Sequence, residues 1–194
     1  MGKSESTSIE RGIKTSAIGT VAHGKNSMID RPHSGKVIQQ VTCAVLTISD
    51  SRTPETDDSG ALIRKYLLEA GHDVSSYEIL PDEPNQVRDR VVELCTSKSR
   101  EAILLTGGTG VTSRDTTVEA LNTILDKRLD GFGELFRSLS FQEIGPHAIL
   151  SRALAGIRGH TAIFAMPGSP AAVRMAMEKL IVPLLGHVAW LLRE

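Results

Sequence analysis

From residue 41 onward, short apolar and β-branched runs alternate with longer segments whose apolar positions recur at helical spacing. The run VTCAVLTIS (41–49) predicts a buried strand. SGALIRKYLLEAG (59–71) places Leu62, Ile63, Tyr66, Leu67 and Ala70 on one helical face and stops at Gly71. DVSSYEIL (73–80) reads as a second strand, NQVRDRVVELCTS (85–97) as a helix with Val87, Val91, Val92 and Cys95 inward, and EAILLTG (101–107) as a third, central strand. A helix is expected over 116–127, another buried strand over TAIFAMP (161–167), and a helical segment over 171–193 that Pro183 should kink or break. Strands alternating with helices in this order predict an α/β fold: a single three-layer domain with a mostly parallel central sheet, flanked by helices and joined by right-handed crossovers. No internal repeat is visible.

Residues 1–40 differ in character. They are rich in Ser, Thr and Gly, show only a faint helical spacing (Ile9, Ile13, Ala17), and carry six Lys or Arg against Glu5, Glu10 and Asp30. That segment is net +3, which leaves −4 for the remainder of a chain whose total is −1. It reads as a flexible or partner-docked tail preceding one domain over 41–194. The acids at 5 and 10 argue against a transit peptide. The near-neutral total offers no whole-chain attraction to nucleic acid or an anionic membrane, so any anion site must be local. No apolar run approaches the roughly 20 residues of a membrane span, and the N-terminus lacks the apolar stretch of a secretory signal. Cys43 and Cys95 fall inside apolar periodic segments, where cysteine packs as a small hydrophobe. These features suit a reducing, cytoplasmic setting.

Ligands of open α/β sheets sit beyond the carboxyl ends of the strands. The segments leaving those ends are SDSRTPETDDSG (49–60), PDEP (81–84), GGTGVTSRD (107–115) and PGSP (167–170), the most polar and Gly- or Pro-rich parts of the domain. Within LLTGGTGVTSRDTT (104–117), Gly107, Gly108 and Gly110 would let several backbone N–H groups turn towards one anion. No Lys follows them as in a P-loop, and Ser113 stands where a dinucleotide fingerprint needs its third glycine. What remains is a strand, a glycine turn and a helix start at TTVE, where Thr116 and Glu119 have capping-box spacing. A phosphate cradle and an ordinary structural turn both fit this pattern.

The blocks TISDSRTPETDDSG, PDE, LLTGGTGVTSRDTTVEAL, GFGELFRSLSFQEIGPHAILSRALAG and AMPGSP, in that order, resemble the MoaB/MogA family of molybdenum cofactor biosynthesis proteins, to which the gephyrin G domain is also similar. The FGELFRSLSFQEIG…SRALAG block resembles the MoaB branch more than the MogA branch, and nothing in the tail matches. The resemblance implies Mg²⁺-dependent adenylylation of molybdopterin by ATP, releasing pyrophosphate. It assigns catalysis and metal positioning to Asp82 and Asp115. It places Ser49, Asp50, Ser51, Ser59, Gly60, Thr106, Gly107, Gly108, Thr109, Gly110, Ser113, Pro167, Gly168 and Ser169 against pterin, nucleotide or phosphate. Homotrimers or homohexamers are implied too, with FGELFRSLSF as a subunit contact, and other proteins of the pathway as further partners. A chain that binds molybdopterin without converting it, or a scaffold that recruits partners through its tail, are the alternatives.

Each site residue also has an ordinary structural role open to it. Asp82 follows Pro81 and can shape a turn; Asp115 can answer a helix N-terminus; Arg114 can be a surface residue or neutralise a phosphate; the serines can cap helices. Ser151 and Arg152 fall in a family block without an assigned role. The histidines lack metal-ligand spacing and the cysteines form no C-x-x-C, which argues against structural zinc. Met166, Met175 and Met177 are expected in the core.

Overall fold

A computed structural model of the protein describes residues 1–2, 37–96 and 100–194. Residues 3–36 of the expected tail, and Ser97 at the end of the second expected helix, lie outside the described residues. The architecture below is that of the unit His33–Glu194.

Six strands form one sheet in the order β2-β1-β3-β6-β5-β4 among the described residues: β1 (Thr42–Ile48), β2 (Asp73–Leu80), β3 (Ala102–Thr106), β4 (Lys127–Arg128), β5 (Leu154–Arg158) and β6 (Thr161–Met166). The four strands expected from β-branched apolar runs, β1, β2, β3 and β6, pair in parallel. The two that the apolar pattern does not identify, β4 and β5, extend the sheet antiparallel. β5 turns into β6 at Gly159, whose φ of 55° is left-handed.

Alternate residues of the central strands feed two cores. Cys43, Val45, Leu104 and Phe164 pack with Ile63 and Leu67 of α1 (Asp58–Glu69), Phe132 and Phe136 of α4 (Asp130–Ile144), Val173 of α5 (Pro170–Ala176) and Leu185 of α6 (Val182–Arg193). Ala44, Leu46, Ile103 and Leu105 face the other way, onto Val87, Val91 and Leu94 of α2 (Pro84–Thr96) and Val118 and Leu121 of α3 (Thr117–Asn122). The period of two thus yields three layers. In α2 the fully buried stripe is Val87, Val91 and Leu94, while the expected Val92 and Cys95 are half-buried. Cys43 is buried, and burial first, then Glu101 and Asp73, push its thiol up to about 12. Met166, Met175 and Met177 are core residues, as expected.

Two expectations are corrected. The helix expected over 116–127 ends at Asn122, because the following residues turn towards β5, where the Asp126 N–H donates to Ile157 O at 2.8 Å. Pro183 does not break its helix: a π segment, Met177–Ile181, joins α5 to α6, the Val182 N–H reaching back to Met177 O. The wider turn just ahead of the ring accommodates it and its missing N–H. The resulting Pro170–Arg193 rod is long and apolar enough, by length and composition alone, to cross a membrane. Val173, Ala176, Met177, Ile181, Leu185 and Ala189 nevertheless commit one side of it to the core. Ahead of residue 41, the chain already rests on this rod: the Ile38 N–H donates to Gly186 O at 3.1 Å.

Candidate functional site

Because β2, β1, β3 and β6 run parallel, the loops that leave them meet on one rim, and hydrogen bonds tie these loops to one another. The Ser49 N–H donates to Leu80 O (2.8 Å) and the Gly107 N–H to Met166 O (3.1 Å). Thr106 Oγ1 donates to Pro167 O (3.1 Å) and Ser59 Oγ to Gly168 O (2.8 Å). The Asp82 N–H donates to Asp50 Oδ1 at 3.1 Å. All four expected segments therefore contribute to the same surface.

The glycine loop has structural reasons for its composition. Gly107 and Gly108 hold φ of 99° and 63°, the left-handed region that favours glycine. A Cβ on Gly107 would collide with the Ile48 carbonyl. One on Gly108 would collide with the Thr117 hydroxyl and stand 2.9 and 3.0 Å from the two carboxylate oxygens of Asp82. Asp82 itself is 8 % exposed. Its Oδ1 accepts from the Thr116 N–H (3.2 Å) and Thr116 Oγ1 (2.9 Å). Thr116 is thereby drawn away from the role its spacing suggested: it makes no side-chain cap on α3. Glu119, the other half of the expected capping box, pairs instead with Arg152.

Asp115 flanks the loop at Gly110, where a Cβ would lie 2.7 Å from its Oδ2. That oxygen accepts from the Thr112 N–H (2.8 Å) and Thr112 Oγ1 (2.6 Å), closing the turn. Burial works to raise its carboxyl, but the bonds from Thr112 and Gly110 and the charge of Arg152 outweigh burial and hold it below the ordinary value. Arg152 clamps the same loop: its N–H donates to Thr109 O (3.1 Å), Nε to Gly110 O (2.5 Å) and Nη2 to Asp115 O (2.8 Å). Arg114 leaves the loop for Asp50 (2.5 Å) and Glu83 (3.5 Å). The bond from Arg114 first, and then that from the Asp82 N–H, hold the Asp50 carboxyl below its usual value.

The remaining expected residues divide. Thr109, Gly110, Pro167 and Ser169 line a pocket of about 210 Å³ together with Phe136 and Ser140 of α4. Thr109 is 2 % exposed, and its buried hydroxyl has no hydrogen-bond partner among the described residues. Such a group is costly unless something arrives to satisfy it. Ser49 Oγ accepts from the N–H groups of Ser51 and Arg52, both at 3.2 Å, and so shapes its own turn. Ser169 Oγ accepts from the Ala172 N–H at 3.2 Å as the cap of α5. Ser113 is exposed and makes no hydrogen bond among the described residues.

Sequence reasoning missed a buried cluster under the rim. Asp57, 3 % exposed, caps α1 by accepting from the Gly60 N–H at 2.9 Å, and takes Thr47 Oγ1 (2.5 Å) and Tyr77 OH (2.6 Å) on its other oxygen. Burial first, then the bond to Asp57, push the Tyr77 phenol up to about 12. Ser59 is therefore not the cap and is left to reach Gly168. The Asp57-to-Gly60 spacing in TDDSG is the local signal that identifies the true cap.

Residues 44–187 match the family described as the probable molybdopterin binding domain. The chain is 53 % identical over 157 residues to Molybdenum cofactor biosynthesis protein B of Halalkalibacterium halodurans, covering 80 % of this chain and 92 % of that one. Its identity to the protein of the same name from Bacillus subtilis is 48 % over 163 residues, 84 % of this chain and 96 % of that one. The crystal structure of the tungsten cofactor synthesizing protein MoaB from Pyrococcus furiosus superposes with a TM-score of 0.72 at 35 % identity, covering 80 % of this chain and 99 % of that one. Motif order, fold and similarity over most of the domain agree, and the chain belongs to the MoaB/MogA family of probable molybdopterin binding domains.

Proposed function

We propose that this protein acts in molybdenum cofactor biosynthesis as a molybdopterin adenylyltransferase. A terminal phosphate oxygen of molybdopterin forms a bond to the α-phosphorus of ATP, the bond from that phosphorus to the bridging oxygen of the β-phosphate breaks, and pyrophosphate leaves. The observation that carries this reading is the pair of carboxylates, Asp82 and Asp115, flanking one glycine loop, next to a pocket lined in part by Thr109, whose buried hydroxyl has no partner among the described residues. The attacking phosphate is already an anion, so the chain's task is positioning and charge placement rather than proton removal. Asp82 is fixed through its Oδ1, and its Oδ2 accepts none of the Thr116 bonds.

Asp82 and Asp115 would hold the Mg²⁺. Among the described residues no group of three or more His, Cys, Asp or Glu side chains is placed to cage a metal. That suits Mg²⁺, which takes one or two carboxylates and completes its shell with water and substrate phosphates. When bound, it neutralises phosphate charge. The pterin is assigned to the pocket beside Thr109, and the nucleotide phosphates to the loop at Gly107–Gly110. A homotrimer or homohexamer is part of the proposal, with exposed Leu135, Phe141 and Ile144 of α4 as the apolar contact.

The competing reading, molybdopterin held without conversion, draws on Asp115, whose Oδ2 is already engaged by Thr112. Incubating the purified chain with ATP, Mg²⁺ and molybdopterin and resolving the products decides between the two. Adenylylated pterin together with pyrophosphate is expected; bound but unchanged pterin refutes the transferase.

A further inference from the structure

The geometry points to a second anion site, separate from the glycine loop, in a pocket of about 450 Å³ between the first turns of α4 and the 151–155 segment. Its ligand class is a small molecule bearing an oxyanion, phosphate or carboxylate. Three arginines, Arg128, Arg137 and Arg152, line the pocket with Ser151. Arg128 is held by Asp130 (2.9 Å) and Asn122, and Arg152 by Glu119 and the glycine-loop carbonyls. Arg137 is different: half-buried, it makes no hydrogen bond or ion pair among the described residues. The acids on the lining do not answer it, since Asp130 is taken by Arg128 and Glu134 is exposed.

Arg137 is nevertheless seated. Gly133, buried and one turn earlier on α4, would with a Cβ stand 3.0 and 3.2 Å from the two terminal nitrogens of Arg137 and 2.6 Å from the Ala153 carbonyl. Glycine is a poor helix former, and at this position its missing Cβ lets the guanidinium lie against the helix beside the pocket. A half-buried, positioned and unpaired guanidinium presents a planar fork of donors suited to two oxygens of one anion. Arg152 lines this pocket and also clamps the glycine loop, so the second site and the proposed nucleotide loop share a side chain.

The test uses the full chain and does not require adenylylation. Inorganic phosphate, pyrophosphate and citrate are titrated in calorimetry into the wild type and into Arg137→Gln and Arg137→Lys, with the Arg137 Nε–H resonance followed by NMR. The phosphate and citrate arms distinguish a phosphorylated from a carboxylated ligand. Arg137→Gln is expected to weaken the bound probe by about 10-fold or more, with the thermal midpoint unchanged, and Arg137→Lys to recover part of the loss. Equal affinity in Arg137→Gln overturns the site. So does no binding of any probe at about 10 mM, weaker than any ligand-selective site requires. A probe that moves the Gly107–Gly110 amides but not Arg137, or an Arg137 resonance that responds only to dissociation of the assembled subunits, overturns it as well.

Discussion

Replacing Asp82 with Asn separates charge from shape at the centre of the proposed site. The amide oxygen can keep the place of Oδ1 and both bonds from Thr116, at 3.2 and 2.9 Å. The amide nitrogen then occupies the Oδ2 position, which faces the Gly108 backbone. Two charge-assisted bonds become neutral ones, a loss of about 1 kcal/mol in stability, small beside the roughly 5–15 kcal/mol of a typical domain. The fold and most of the pterin affinity should survive. Turnover should not: a loss of about 100-fold or more corresponds to about 2.7 kcal/mol of transition-state stabilisation, a size expected when a preorganised charge is removed from phosphoryl transfer. The urea midpoint, pterin affinity by fluorescence and the rate of adenylylated product are measured on the same preparation. Unchanged turnover with a shifted midpoint would return Asp82 to the role of a turn residue that merely anchors Thr116.

Three further outcomes follow from the same geometry. Thr109→Val removes a buried hydroxyl that has no partner among the described residues, so the thermal midpoint should hold or rise while molybdopterin affinity falls; the reverse pattern would remove Thr109 from the pterin pocket. Gly60→Ala forces a methyl group into the Asp57–Thr47–Tyr77 cluster, 2.7 Å from Thr47 Oγ1 and 2.8 Å from the Tyr77 ring. It should cost about 1–3 kcal/mol in a urea titration, and a neutral result would show that the cluster yields easily. Asp115 and Glu119 have folded-state carboxyls below their ordinary values, Glu119 chiefly through its bond to Arg152. Their contribution is present above the unfolded value of about 4 and is lost as pH falls through the lowered ones. The gap in thermal midpoint between wild type and Glu119→Gln should therefore be constant from neutral pH to about 4 and close below it; a gap that persists in strong acid contradicts the assignment.

What local pattern could reveal, it did. β1, β3 and β6 are apolar runs buried on both faces, and helices α1 and α2 carry periodic stripes, so their positions followed from spacing alone. β4 and β5 were illegible because a two-residue strand and LAGIR carry too little pattern, and because their pairing is set by contacts across the sheet. Which of the kink or the break expected at Pro183 would occur was illegible for a related reason: the π turn that accommodates the ring without a break is a property of the packed rod. At the site, the meeting of Asp82 with the glycine loop followed from the parallel-sheet rule. The clamp by Arg152 did not, since it joins residues 42 positions apart from Gly110, and nothing near Arg152 in sequence announces its partners. Likewise Asp57 meets Tyr77 from 20 positions away. The failed capping box at Thr116 has the same origin, for Asp82, 34 positions away, accepts from the Thr116 hydroxyl, which caps no N–H of the helix.

The strand order carries a consequence for synthesis. β3 lies between β1 and β6, and its five residues, AILLT, are all buried. On the ribosome β1 emerges first and can be joined by β2 and then β3, but β6 follows only after residue 160. Until it does, the nascent sheet ends on the open edge of β3, its most apolar and most aggregation-prone strand. The interval between Thr106 and Thr161 is therefore the stretch of translation during which this chain most needs shielding by the ribosome or a chaperone, and a product truncated within it is the form most apt to precipitate.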